Sequence, residues 1–332
     1  MAKSYPSKHN SSGIWNMSDV TTAVSNNDWC SGHRAIFGGG NVNPGAVTNI
    51  MDYISVVSLG NAVDFGDLSV ARKTLGAVGS FTRACFGGGV TPSKNDTIDY
   101  ITIASTGDAA DFGNLSVSRG YVEGMGNSSV RGIYTNGSTV PAYVNTIDYI
   151  TIATLGNATD FGDSTVTGTN HEAFSSPTRG VAGGGFDGPA DAYQNIIDYT
   201  EITSTGNAID FGDLSSIRGF MGTASSHTRG IFHSGSVGPA RVNTIEYVTI
   251  PTKGNAVNFG DATTIRNYGS GSSNGKRGVF GGGGMASPGS DYQNTIDYLT
   301  ISHTGNATDF GDLSTARHAL SATSNGHGGL GL

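Results

Sequence analysis

Apolar and polar positions alternate along this chain in short runs, and the runs recur. Stretches such as "NTIDYITI" from Asn145, "RGIFHSG" from Arg229 and "KTLGAVG" from Lys73 cluster β-branched and aromatic residues between Ser, Thr, Gly and Asn. That pattern predicts strands bounded by turns. Between the third and fourth runs of each unit, "SLGN" or "STGN" supplies residues that tolerate positive φ in a hairpin turn. The only helix-like stretch is "NMSDVTTAVS", near the start.

Three markers fix the repeat. Runs opening on arginine begin at Arg34, Arg83, Arg131, Arg179, Arg229 and Arg277, 48 to 50 residues apart. A "TIDY"-like segment ends at Tyr53, Tyr100, Tyr149, Tyr199, Tyr247 and Tyr298. "NATDFGDLS" from Asn306 and five close relatives place Phe65, Phe112, Phe161, Phe211, Phe259 and Phe310 a constant 12 residues after those tyrosines. Seven residues further on stand Arg72, Arg119, Arg218, Arg266 and Arg317, with Gly168 in the remaining copy. Nearly all length variation falls between the arginine-led run and "TIDY".

Six four-stranded units of this length predict an all-β fold, a six-bladed β-propeller of antiparallel blades over residues 34–332. The first unit lacks its first strand and the chain ends on one, "HALSATS" from His318. The expected closure therefore pairs the C-terminal strand with the N-terminal three. Residues 1–33 stand outside the repeat and carry both tryptophans, Trp15 and Trp29, as an expected docking arm.

Two carboxylates per nonapeptide could be chemistry or fold. Six equal copies argue for fold, because a catalytic group needs one distinct environment. Asn114 and Asn258 replace a carboxylate in two copies, as a hydrogen-bonding role tolerates. The phenylalanines are expected between blades, the glycine in a sharp turn, and Asp67, Asp163, Asp213 and Asp312 on turn N–H groups.

Function is expected where copies differ. One variable region is the connection between second and third strands, with Tyr143, Tyr193, Arg241 and Tyr292. The other is the entry of the innermost strand, with Tyr121, His171, Phe220, Tyr268 and His318. Together they predict a ligand face whose aromatics stack on sugar rings or grip an extended polymer, or instead plug a channel.

Composition narrows the classes. Charged residues are 13%, about half the usual share, while 52 glycines speak for many turns. A net charge of −8 without a basic stripe argues against nucleic acid. Cys30 and Cys85 show no metal-ligand spacing, and no apolar run or leader suggests a membrane. No cofactor, metal or catalytic constellation is expected, and the protein is read as a non-enzyme.

"FGGG", "DY" and "DFGDL" resemble the marks of the kelch repeat. Units of the "NTIDYITIASTGNATDFGDL" type also resemble glycine-rich repeat proteins of marine bacteriophage (cyanophage-type) particles. That resemblance implies a virion or tail-associated protein, made in the host cytoplasm. It would dock to other virion proteins through the N-terminal arm and recognise a host-surface glycan or receptor. The alternatives are a kelch-like intracellular adaptor for a protein partner and a propeller enzyme acting on polysaccharide.

Overall fold

The computed structural model describes residues 33–127, 129–285 and 291–330. The arm expected over residues 1–33 thus lies, apart from His33, outside the described residues. Everything assigned is strand, turn or loop. No described helix is long and apolar enough to cross a membrane.

Six four-stranded antiparallel sheets form the body. A representative one runs Gly76–Gly79, Arg83–Gly87, Thr97–Thr102 and Ala110–Asn114 in spatial sequence. In the sheet holding Arg34–Gly38, Ile50–Ser55 and Val63–Asp67, the partner of Arg34–Gly38 is the distant segment Ser321–Ser324, with Ala35 opposite Ser324. A typical third strand is covered on both faces, so Ile98, Asp99 and Ile101 are buried while Thr97 and Tyr100 are less so. The apolar core is divided into clusters that span adjacent sheets, such as Phe65, Leu68 and Leu75 with Phe86, Ile101 and Ile103.

The expected architecture needs correction. The chain is not six four-stranded blades closed into a propeller; it is an array of separate two- to four-stranded antiparallel sheets, and no sheet closes on itself through its ladder. Four smaller sheets stand beside the six larger ones. The cause lies in the glycine run. Gly39 and Gly40 take φ of 65° and 111°, and Gly88 and Gly89 take 69° and 107°. Two successive residues in the left-handed region bulge the ladder and re-aim the chain. The segment beyond them is a short ribbon rather than a loop: Asn41–Val42 pairs with Ala46–Val47 on one side and Arg317–His318 on the other.

Five positions of the nonapeptide have structural roles. Asn61 Oδ1 accepts from the Asp312 N–H at 3.1 Å, and Asn157 Oδ1 accepts from the Asn114 N–H in the same way. Phe65 meets Tyr53 edge to face at 5.9 Å, a geometry repeated in all six copies. Gly66 does not make a turn out of the strand; a Cβ there would lie 2.5 Å from the Gly107 carbonyl group, so the glycine admits the neighbouring sheet's turn. Leu68 is core. Ser69 donates from Oγ to Asp99 at 2.6 Å.

Asp99 and its counterparts also hold the buried charges. Arg72 pairs with Asp99 at 3.0 Å, Arg119 with Asp148 at 3.0 Å, Arg317 with Asp52 at 3.0 Å and Arg266 with Asp297 at 3.2 Å. Arg218 pairs with Glu246. The carboxylate used is the one before the tyrosine, not the one after Phe-Gly. Asp67 and Asp163 lie exposed on outer strands. Removing one partner of a buried pair strands the other charge, at a cost of about 3–5 kcal/mol. Urea denaturation of Asp99→Ala should show a loss of that size, whereas Asp67→Asn should stay within about 0.5 kcal/mol of the parent. Equal losses in the two variants would refute the assignment.

Candidate functional site

The ribbons recur in every unit. In the second, Lys73 bridges Val90, and Val90–Thr91 pairs with Ser93–Lys94. In the fourth, Gly168–Thr169 pairs with Phe186–Asp187, which pairs with Ala192–Tyr193. In the fifth, Gly219 bridges Ser236, which pairs with Arg241. The third unit merges its ribbon into long strands, Arg131–Ser138 and Tyr143–Thr151, with Gly120 bridging Ser138. The sixth has bridges from Gly284 to Asn267 and Tyr292. The variable connection and the entry of the innermost strand, separate in sequence, are thus hydrogen-bonded neighbours in one belt.

Successive ribbons touch. Lys94 Nζ donates to Ser138 Oγ at 3.0 Å, and Asn267 Nδ2 donates to Ser236 Oγ at 2.8 Å. Asn41 Oδ1 accepts from the Tyr292 hydroxyl at 3.2 Å and from His318 Nε2 at 3.3 Å, while its amide nitrogen donates to the Gly45 and Ala46 carbonyls.

Aromatic rings form a continuous path across this belt. Tyr143 lies 6.5 Å from Phe186, Phe186 lies 5.7 Å from Tyr193, and Tyr193 lies 5.9 Å from Phe220. Phe220 and Tyr268 approach to 4.0 Å; Tyr268 and His318 are 5.5 Å apart, and His318 stacks on Tyr292 at 4.1 Å. Each ring keeps some exposure, Tyr143 the most at 38%. Tyr121 sits beside the path with Lys94 Nζ 4.8 Å above its ring. Burial raises the Tyr268 hydroxyl far above the usual range of a phenol.

Of the residues singled out in the sequence, Tyr143, Tyr193, Phe220, Tyr268, His318 and Tyr292 are in the path, and Tyr121 and Arg241 adjoin it. His171 is elsewhere. It is 2% exposed, one step further along the innermost strand, and its Nε2 lies 3.0 Å from where a Cβ on Gly168 would be. The imidazole therefore occupies space beside the position that carries a buried arginine in the other copies. Burial lowers its proton affinity, against the pull of Asp198 and Asp187. Phe186, Lys73 and Lys94 belong to the belt as well; Lys73 and Lys94 fall in the two variable regions of the sequence without being assigned to the ligand face, and Phe186 is missed. The signal that finds Lys94 is its spacing: like Tyr143, Tyr193, Arg241 and Tyr292, it stands six residues before the "TIDY" tyrosine.

Tyr121, Phe220 and Tyr268 have φ of 58°, 60° and 56°, and so do Thr74, Asn170 and Ala319 within a few degrees. Left-handed backbone outside glycine costs roughly 1–2 kcal/mol per residue. Its presence in all six copies makes it a requirement of the fold, not a mark of the aromatics. Backbone bonds hold it: Tyr121 N–H donates to the Thr74 carbonyl, Thr74 N–H to Ala319, and Tyr268 N–H to Phe220, at 2.8, 2.8 and 2.9 Å.

The innermost strands line a pocket of about 40 Å³ whose walls include Glu123, Glu172, Phe174, Ser270, Ser321 and His327. That is room for a few waters. His327 in its wall donates from Nε2 to the Gly79 carbonyl at 3.0 Å. Among the described residues no group of three or more His, Cys, Asp and Glu is placed to hold a metal. No protein-family model matches the chain, and no curated protein matches it. The resemblance to kelch and bacteriophage particle proteins is therefore withdrawn, and with it the assignment as a virion-borne attachment propeller, an adaptor of the kelch kind or a propeller enzyme.

Burial pushes the Glu123 carboxyl up to about 8, from an ordinary value of 4.5. Glu172 is raised as well, by burial and by Glu123. A carboxyl raised on folding contributes stability below its unfolded value, and that contribution is lost as pH rises through its folded value. Between about pH 4.5 and 8 the folded chain holds a proton at Glu123 that the unfolded chain releases. Glu123→Gln should therefore flatten the fall in melting temperature from mildly acidic to mildly alkaline buffer and melt higher than the parent at the alkaline end. Parallel curves for the two proteins would show that Glu123 is ionised in its cavity.

Proposed function

We propose that this is a non-catalytic recognition protein that holds a saccharide on its ribbon belt. The observation that carries the reading is the unbroken path of partly exposed rings from Tyr143 to Tyr292, laid on the segments in which the copies differ. Aromatic faces offer flat apolar area at low conformational cost, and rigid sheets underneath spare the ligand the entropy of ordering a loop. Saccharides match this surface. Their C–H faces stack on rings, and their hydroxyls can meet solvent-facing belt groups such as Thr91, Ser93 and Ser138.

Catalysis lacks an anchor in the same surface. Burial, and then the charges of Lys73 and Arg241, lower the His318 imidazole to about 4, so at neutral pH it is neutral and a weak base. The belt tyrosines Tyr121, Tyr193 and Tyr268 are raised by burial, which makes them hydrogen-bonding groups rather than nucleophiles.

Isothermal titration against a panel of soluble oligosaccharides tests the proposal. Phe220→Ala and Tyr292→Ala should each weaken binding by more than about 1 kcal/mol, as stacked anchors do. Both variants should melt within roughly 5 °C of the parent, since the rings cap a surface and do not fill the core. Unchanged binding in both variants, with a panel ligand bound, would move the site off the belt.

A further inference from the structure

The chain carries 18 lysines and arginines against 26 carboxylate residues, and the fold consumes most of those cations. The six arginines that open the second strands lie over the "TIDY" tyrosines, Arg83 at 4.5 Å from the Tyr100 ring centre, for example. All six also donate to carbonyls of a neighbouring sheet, as Arg83 does to Ile152 at 2.7 Å. Five more are buried against carboxylates. Among the described residues this leaves Lys73, Lys94, Arg241, Lys253 and Lys276. Three of the five stand in the belt.

Their placement is specific. Lys73 and Lys94 both pair with Val90, one from each side. Residues directly opposite in antiparallel pairing project to the same face, so the two ammonium groups stand on one side of the ribbon, roughly 10 Å apart at the backbone. Arg241 stands on the fifth unit's ribbon opposite Ser236, and its charge reaches Tyr193, Tyr268 and His318. Lys73 acts on His318 as well. The Arg241 Nε is buried and has no hydrogen-bond partner. Buried donors left unmade are costly, and an arriving acceptor would satisfy this one. Of the acidic residues near the seat, Asp187 accepts from the Ala190 N–H at 3.1 Å, Asp191 and Asp291 are exposed at ribbon ends, and Glu172, whose charge acts on Tyr268, is held toward its neutral form by burial.

We infer that the ligand is an acidic saccharide, seated on the Tyr268–His318 rings with its carboxylate or sulfate held between Lys73 and Arg241. This rests on the saccharide reading above and adds the charge of the sugar. The whole molecule's charge of −8 works against long polyanions and favours one anionic group met by two converging cations. The imidazole supports this: an anion beside His318 offsets the two cations that depress it, so binding should raise its proton affinity.

The probes are a short oligogalacturonate, its neutral methyl ester, and single-stranded DNA, titrated at low and physiological salt. The acid should bind about tenfold or more tighter than its ester, the increment of one charge-assisted contact. Lys73→Ala and Arg241→Ala should each erase most of that preference without touching the ester's affinity. Lys73→Arg should keep it. In NMR titrations the His318 ring should take up its proton at higher pH with the acid bound. Equal binding of acid and ester would overturn the acidic ligand and leave the saccharide reading standing. Binding of neither would overturn both. DNA bound as tightly as the acid, with both lost at physiological salt, would reduce the cations to a non-specific patch and also sink the inference.

Discussion

The buried carboxylate just before the "TIDY" tyrosine is the constraint on which the rest hangs. Asp99 shows why. It pairs with Arg72 at 3.0 Å, and it accepts both the Ser69 hydroxyl and the Ser69 N–H at 2.6 and 3.1 Å. One side chain thus ties a third strand to the outer strand of the preceding sheet and to the residue that starts its own first strand. The arginine adds a second tie through its main chain, since the Arg72 carbonyl accepts from Gly40 N–H at 2.9 Å, at the point where a ribbon begins. Two fully buried opposite charges are expensive to desolvate, so such a pair contributes little net stability by itself. What it supplies is position: sheet, outer strand and ribbon can meet only in one relation without stranding a charge.

The third copy tests this logic within the chain. Gly168 replaces the arginine, and Asp198 has only the Ser164 and Thr165 groups, at 2.8 to 3.0 Å, with its Oδ1 unpartnered. The space is taken by His171 and by polar contacts absent elsewhere, such as Asn136 Nδ2 donating to the Val166 carbonyl at 2.7 Å. This copy also has the longest second and third strands, 8 and 9 residues, with the ribbon absorbed into the sheet. Without the arginine to fix the start of the ribbon, the ladder simply runs on into it.

Legibility followed the repeat. The strands could be read from runs such as "TIDYIT", because β-branched and aromatic residues clustered at an invariant spacing report a sheet directly. Phe65 and Tyr53 could be read as a packed pair from their constant interval. The ribbons could not. "FGGG" carries no sign that two successive glycines turn the chain rather than end it, and Asn136-Gly137 and Ser234-Gly235 adopt the same conformation without a glycine pair. The carboxylate that pairs with arginine was hidden by having a neighbour of the same kind 12 residues on: Asp52 and Asp64 are equally regular in sequence, and only burial distinguishes them. His171 stands one residue past the left-handed position, which Asn170 holds, and both are buried in this copy.

The left-handed residue at each strand entry links the fold to the proposed binding surface. Glycine would adopt that conformation without strain, yet the six copies carry Thr74, Tyr121, Asn170, Phe220, Tyr268 and Ala319 there. The backbone geometry is fixed by bonds between neighbouring copies, so the side chain is aimed in the same way whatever it is. Such a position is demanding of the main chain and indifferent to the side chain. The fold gives one such position per copy, each filled by a different group, on a scaffold whose buried pairs tolerate little change. Under the proposed function, specificity depends on which groups occupy these positions and the ribbon residues beside them; here Phe220 and Tyr268 stand 4.0 Å apart, and the charges of Lys73 and Arg241 both act on His318, the next ring.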